Sequence, residues 1–176
     1  GLYRLSYDGA GDIGVSGAEI VSRTDGEIWF DHQPTGNGMV VIAIRSTDPQ
    51  NTGDYLRNIE VVKQEHIPAY EAGQMFNPLW LDVIAESHAL RFMDWQETNN
   101  STIRNWSEQP QQNDYTYNSG VPLSVMVALA NATGTEPWFN MPFHADEAYI
   151  REFASYVRDA LNPDLRAHYE FSNEVW

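Results

Sequence analysis

Two glutamates in the segment YEFSNEVW, residues 169–176, are the side chains of this sequence best suited to proton transfer. Glu170 and Glu174 lie four residues apart, which is about 13 Å along a β-strand. The two carboxyl groups that cleave one glycosidic bond lie roughly 5–10 Å apart, so these two cannot form such a pair. Glu174 ends the predicted strand, where an acid or base has access to a substrate. Glu170 lies deeper, and we expect it to be buried and paired with Arg91.

Further polar and aromatic residues lie at or beyond the carboxyl ends of the predicted strands. Asn140 and His144 could hydrogen-bond the hydroxyl groups of a substrate, although helix capping is the simpler explanation for the loop that contains His144. Trp95, Trp106 and Trp176 could stack on the apolar faces of sugar rings or pack their loops against the fold. These residues predict a substrate-binding edge and no metal site.

From residue 58 onward the sequence alternates between strand and helix patterns. The predicted strands are NIEVV, ALRFMDW, EPWFNMPF and LRAHYEFSNEVW, and the predicted helices are FNPLWLDVIAES, VPLSVMVALANATG and ADEAYIREFASYVRDAL. This alternation is typical of parallel strands joined by right-handed crossovers. The active sites of (β/α)₈ barrels lie at the carboxyl ends of the strands, which is where the polar residues are found here. The sequence therefore predicts an α/β barrel over residues 58–176.

A complete barrel needs about 250 residues, whereas only four predicted strands fit into this part of the chain. We therefore expect residues 58–176 to form the first four βα units of a (β/α)₈ TIM barrel, truncated after the fourth strand. The missing strands would come from the remainder of the same barrel or from another chain. Residues 1–57 differ, with the β-rich runs LYRLSY, AEIVSR, GEIWFDHQ and GMVVIAIRST between Gly- and Asp-rich turns. They predict a small antiparallel β module.

The composition excludes several classes of protein. The formal net charge is −15, with only 10 lysines and arginines among the 176 residues. Because phosphate binding needs clustered basic side chains, a nucleic-acid partner is not expected. No apolar run approaches the roughly 20 residues of a membrane-spanning helix. The absence of cysteine excludes disulfides, thiolate zinc sites and cysteine nucleophiles.

The segment YEFSNEVW resembles the fourth-strand motif of clan-A glycoside hydrolases, which are retaining (β/α)₈ enzymes, and ALRFMDW resembles their second strand. The stretch from residue 58 to residue 176 is also similar to secreted bacterial proteins that carry a small β domain ahead of such a barrel. The resemblance implies that Glu174 is the general acid/base and that Asn173 contacts the 2-hydroxyl of the sugar. It also implies that Arg91 supports the carboxylate of the nucleophile.

This resemblance implies a fragment of a secreted glycoside hydrolase that acts on β-linked polysaccharide by retaining double displacement, with a carbohydrate substrate and no cofactor. The nucleophile would lie on a later strand, so the 176-residue chain is expected to be inactive alone. The alternative is a non-catalytic extracellular scaffold, adhesion or filament protein that uses a glycosidase-like barrel. Both hypotheses expect an extracellular protein.

Overall fold

The computed structural model describes residues 1–34 and 38–173. The chain divides into two compact units, Gly1–Asn77 and Pro78–Trp176. Within the described residues, no helix combines the length and the apolar character that crossing a membrane requires.

The first unit is built from antiparallel strands. They are β1 (Leu2–Asp8), β2 (Gly11–Ser16), β3 (Glu19–Thr24), β4 (Glu27–Asp31), β5 (Val41–Thr47) and β6 (Arg57–Lys63), followed by a 3₁₀ turn (Gln64–His66) and the short helix α1 (Ile67–Glu71). A four-stranded sheet has the order β3-β4-β1-β6, and β2 pairs with β5. Alternate side chains of these strands form one apolar core around Leu5, Ile13, Ile28 and Phe30, which are almost completely buried.

The second unit contains a parallel sheet with the strand order β7-β8-β9. Its elements are α2 (Pro78–Ile84), β7 (Ala89–Arg91), α3 (Leu123–Thr133), β8 (Glu136–Met141), α4 (Glu147–Ala160) and β9 (His168–Phe171), with 3₁₀ turns at Thr98–Asn100 and Trp106–Glu108. The three helices predicted in this part of the sequence are confirmed, with shorter bounds.

Local signals explain where the two longer helices begin and end. The carboxylate of Asp146 accepts a hydrogen bond of 2.7 Å from the backbone N–H of Tyr149 and so caps the start of α4. Helix α3 ends at Gly134, whose φ of 68° lies in the left-handed region that glycine adopts without strain. Helix α4 buries Tyr149, Phe153 and Val157, which are spaced four residues apart and therefore share one face.

Phe139 lies at the centre of the core of the second unit. Its side chain is completely buried in the middle of β8. The centroid of its ring lies 5.6 Å from that of Phe92, 5.2 Å from that of Phe153 and 5.9 Å from that of Tyr169. Aromatic rings at these separations contribute dispersion and quadrupole interactions in addition to the burial of apolar area. This cluster joins the sheet to α4.

The prediction of a partial (β/α)₈ barrel is wrong. Residues 58–62, predicted as the first barrel strand, lie in β6 and pair antiparallel with β1. In the part of the chain that the structure describes, parallel pairing is confined to three short strands, and the other two sheets are antiparallel. A barrel strand is covered on both faces and therefore reads as a continuous apolar run. Every residue of β6 keeps at least partial exposure, as expected for an antiparallel strand with one open face.

We expect Phe139→Ala to lower the free energy of unfolding of the second unit by about 3–5 kcal/mol, because it leaves a cavity among three aromatic rings. Chemical denaturation followed by near-UV circular dichroism measures this loss. Tyr115→Ala removes a fully exposed ring and should change the free energy by less than about 0.5 kcal/mol. Similar losses for the two variants would contradict the packing described for Phe139.

Candidate functional site

One face of the parallel sheet carries polar side chains. In the strand register, Arg91 lies opposite Trp138, Trp138 lies opposite His168, and Asn140 lies opposite Glu170. Side chains at alternate positions of a strand point to the same face, and paired positions of neighbouring strands share that face. We call the resulting surface the polar face; it consists of Arg91, Glu136, Trp138, Asn140, His168 and Glu170.

The carboxylate of Glu170 connects the three strands of the polar face. Its Oε2 accepts hydrogen bonds from Arg91 on β7, with Nη2 at 2.8 Å and Nε at 3.2 Å. On β8, Nε1 of Trp138 donates to the same oxygen at 3.0 Å and Nδ2 of Asn140 donates at 2.9 Å. Because one donor is a guanidinium, these bonds include charge-assisted ones, which are the stronger class.

These donors determine the protonation state of Glu170. The hydrogen bond from Arg91 holds the pKa of the carboxyl group below its ordinary value. Burial raises the pKa, whereas the hydrogen bonds from Asn140 and Trp138 lower it. Glu170 is therefore ionised near neutral pH and acts as an acceptor of hydrogen bonds.

Asn173 extends the network beyond the end of β9. Nη2 of Arg91 donates to Oδ1 of Asn173 at 2.8 Å. The amide nitrogen of Asn173 donates in turn to Oδ1 of Asn99 at 2.9 Å. Loops that follow β7 and β9 thus meet beside the polar face. The structure brings together three of the site residues that the sequence predicted, Arg91, Asn140 and Asn173.

A turn at Ser172 brings Asn173 back toward Arg91. Ser172 is buried and has a φ of 60°, which is uncommon for a residue other than glycine. Its backbone N–H donates to the carbonyl oxygen of Met141 at 2.8 Å, and its carbonyl accepts a bond of 2.8 Å from Nδ2 of Asn140. A backbone conformation of this kind costs about 1–3 kcal/mol and persists only where the surrounding contacts hold it in place. The two hydrogen bonds of Ser172 are such contacts.

Asn140 is the most buried member of the polar face. It is completely buried, and its backbone N–H donates to Oε1 of Gln96 at 2.7 Å. Gln96 comes from the loop after β7 and is itself buried. The backbone of Asn140 is thus held by Gln96, while its side-chain amide donates to Glu170 and to the carbonyl oxygen of Ser172, so its role in the network is that of an anchor.

Trp138 is the aromatic residue of the polar face. Its relative exposure is 39%, so the indole is accessible although its N–H is bonded to Glu170. The guanidinium carbon of Arg91 lies 5.6 Å from the ring centroid, within the range of a cation–π interaction. Sequence reasoning missed Trp138 as a site residue. The signal was its two-residue spacing from Asn140, since both belong to one face of a strand.

Two other tryptophans that the sequence predicted to bind substrate pack within the second unit instead of joining the network. The ring of Trp95 is half-buried and stacks on Trp80, with centroids 5.9 Å apart and planes 20° apart. Trp106 is also half-buried and meets the buried ring of Tyr149 edge-on at 5.7 Å. Both contacts correspond to the loop-packing alternative for these residues.

His144 is exposed, and its ring contacts Phe143 edge-on with centroids 5.2 Å apart. The cap of α4 is supplied by Asp146 and not by His144. Glu174 and Trp176, predicted as acid/base and as a stacking residue, lie outside the described residues. Their roles stay predictions.

The pairing of Arg91 with Glu170 is confirmed, but their predicted burial is wrong. The side chain of Arg91 is 37% exposed and that of Glu170 is 28% exposed. The prediction placed both side chains in the interior of the partial barrel, which would have covered them. The sheet has only three strands, so its polar face keeps partial access to solvent.

The amino-terminal end of the polar face carries a second, separate contact. Nε2 of His168 lies 2.6 Å from Oε2 of Glu136, and Nε2 of His88 lies 3.7 Å from the same oxygen. The hydrogen bond with His168 holds the pKa of Glu136 below its ordinary value. Among the residues that the structure describes, no three His, Cys, Asp or Glu side chains are arranged to hold a metal ion.

Comparison of the chain with protein-family models, with curated proteins and with solved structures finds no match. The resemblance to clan-A glycoside hydrolases is therefore overturned on two grounds. No family model or relative supports it, and the sheets formed by residues 1–34 and 38–173 lack the strand pattern of the barrel on which it rests.

We expect Arg91→Gln to raise the pKa of Glu170 toward the ordinary value of about 4.3, because the main group that lowers it is removed. In the wild type, pairing with Arg91 stabilises the unit above the unfolded-state pKa of Glu170, and this stabilisation is lost as the pH falls through the lower, folded-state pKa. A ¹³C NMR titration of the side-chain carboxyl carbon measures the pKa.

Arg151→Gln is the matched control for this titration. Arg151 pairs with Glu147 on the exposed surface of α4, so its loss should leave the pKa of Glu170 unchanged. An identical Glu170 pKa in wild type and Arg91→Gln would show that the guanidinium does not determine the ionisation of this carboxyl group.

Proposed function

We propose that the polar face binds polysaccharide and that the chain belongs to an extracellular protein acting on β-linked polysaccharide. The observation that carries this proposal is the accessible indole of Trp138 beside hydrogen-bonding groups that Glu170 holds in place. An indole and a set of planar polar side chains match the two kinds of surface that a sugar ring presents, an apolar face and a rim of hydroxyl groups.

The fixed geometry of the network supports binding. Arg91 is held by Glu170 and Asn173, and Asn173 is held by Asn99, so these groups lose little conformational freedom when a ligand arrives. Pre-organisation of this kind raises affinity by reducing the entropic cost of binding. Arg91 and Trp138 are both partly exposed, so a ligand would contact these two side chains first.

Hydrolysis by retaining double displacement is the catalytic version of this proposal. It assigns the acid/base role to Glu174 and a hydroxyl contact to Asn173, and it requires a second carboxylate about 5 Å from Glu174. The alternative is a non-catalytic extracellular scaffold, adhesion or filament protein, and in neither version is Glu170 the acid. The carboxyl group at the centre of the network, Glu170, has a lowered pKa and so does not hold a proton for transfer near neutral pH.

We expect Trp138→Ala to weaken polysaccharide binding by up to roughly tenfold, because a stacking contact on an aromatic ring contributes about 0.5–1.5 kcal/mol in addition to the burial of apolar area. Affinity electrophoresis or calorimetry with soluble β-glucan, xylan and mannan measures the change in the dissociation constant. Trp29→Ala is the matched control, since Trp29 lies in β4 of the first unit, and it should bind as the wild type does.

Two results would contradict the assignment of binding to the polar face. One is binding by Trp138→Ala with the affinity of the wild type. The other is the absence of binding to any neutral polysaccharide by a wild-type chain that is folded according to circular dichroism.

Glu174→Gln separates binding from hydrolysis. If Glu174 supplies the proton, the variant should lose at least about 100-fold in the rate of polysaccharide cleavage, the typical contribution of a general acid. Binding should be retained, because the substituted amide keeps the size of the side chain. Reducing-end release by the longest available form of the protein measures cleavage. Equal cleavage by wild type and variant would exclude Glu174 as the acid, and cleavage by neither form would favour the scaffold.

A further inference from the structure

We propose that the polar face selects neutral polysaccharides and discriminates against those that carry carboxylate groups. This inference rests on the proposed function and adds the charge class of the ligand. The feature behind it is the pairing of Arg91, the cation of the network, with an anion of the protein itself.

The positive charge of Arg91 is already paired with the negative charge of Glu170. Its Nη2 and Nε both donate to Oε2 of Glu170, and the shorter contact is 2.8 Å. Because the guanidinium and the carboxylate carry opposite unit charges, their contact contributes no net charge toward a ligand. Glu136 adds a further negative charge toward the amino-terminal end of the same face, beside His168.

A carboxylated sugar would have to compete with Glu170 for Arg91. Displacing the guanidinium would leave the Glu170 carboxylate, which is about three-quarters buried, without its cationic partner. Losing this charge-assisted pair is unfavourable because the donors that remain on Glu170, Trp138 and Asn140, are neutral. A neutral hydroxyl group, in contrast, can bond to the exposed part of the network without breaking this pair.

The charge of the whole chain acts in the same direction. The sequence carries 25 acidic and 10 basic side chains. Its field therefore repels polyanions over distances comparable to the Debye length, which is about 8 Å at physiological ionic strength. This long-range contribution decreases as salt is added, whereas the local competition at Arg91 persists.

Paired polymers with one backbone test the selectivity. Hydroxyethylcellulose and carboxymethylcellulose share a β-glucan backbone, and neutral arabinoxylan and glucuronoxylan share a xylan backbone. We expect the wild-type chain to bind the carboxylated member of a pair at least about tenfold more weakly at low salt. Raising the salt concentration to about 0.5 M should narrow the difference. The salt dependence is measured on the wild-type chain and needs no variant.

Glu170→Gln should abolish the preference. The substitution preserves the size of the side chain but leaves the charge of Arg91 available to a ligand carboxylate, so binding of the carboxylated polymer should strengthen by roughly tenfold. Glu152→Gln is the matched control, because it removes one negative charge from an exposed position of α4. It should leave the selectivity unchanged.

The outcomes separate the two proposals. Binding of neither polymer class by the wild type would overturn the proposed function and this inference with it. Binding of the neutral polymer together with equal or tighter binding of the carboxylated one would overturn the selectivity alone. The same applies if Glu152→Gln changes the preference as much as Glu170→Gln does, because the effect would then come from net charge.

Discussion

A single carboxylate oxygen holds the candidate site together. Oε2 of Glu170 on β9 accepts hydrogen bonds from Arg91 on β7 and from Trp138 and Asn140 on β8. Because these donors share one acceptor, each depends on the ionised state of that carboxyl group. Asn173 depends on it indirectly, since its Oδ1 is bound by the same Arg91 nitrogen that contacts Glu170. The geometry of the site therefore follows from one charge.

The alternation of side chains along β8 joins this site to the core. Phe139 is buried among aromatic rings near α4, whereas its neighbours Trp138 and Asn140 belong to the polar face. Parallel sheets are commonly apolar on both faces, but here hydrogen bonds replace apolar packing on one of them. A register shift of one residue would exchange the two faces. Burial of Phe139 thus fixes the positions of the site residues as well as the stability of the unit.

The sequence predicts the local features of this fold better than it predicts which strands pair with one another. The end of α3 at Gly134 follows from capping chemistry, and the pairing of Arg91 with Glu170 follows from the cost of a lone charge inside a protein. NIEVV reads as a strand whichever partner it takes, and its antiparallel pairing with β1 depends on residues far away in the sequence. The barrel prediction failed because it assigned the wrong partner to this strand, and strand pairing depends on residues that are distant in the sequence.

The ionised state of Glu170 distinguishes two roles that a carboxyl group can have at a binding site. A general acid must keep its proton near neutral pH, which requires surroundings that raise its pKa. Arg91, Asn140 and Trp138 lower the pKa instead. A carboxylate held in this way orients its hydrogen-bond donors and holds no proton to donate near neutral pH. Under the proposed function Glu170 therefore orients the binding groups, and the acid of the catalytic version is Glu174, which lies outside the network.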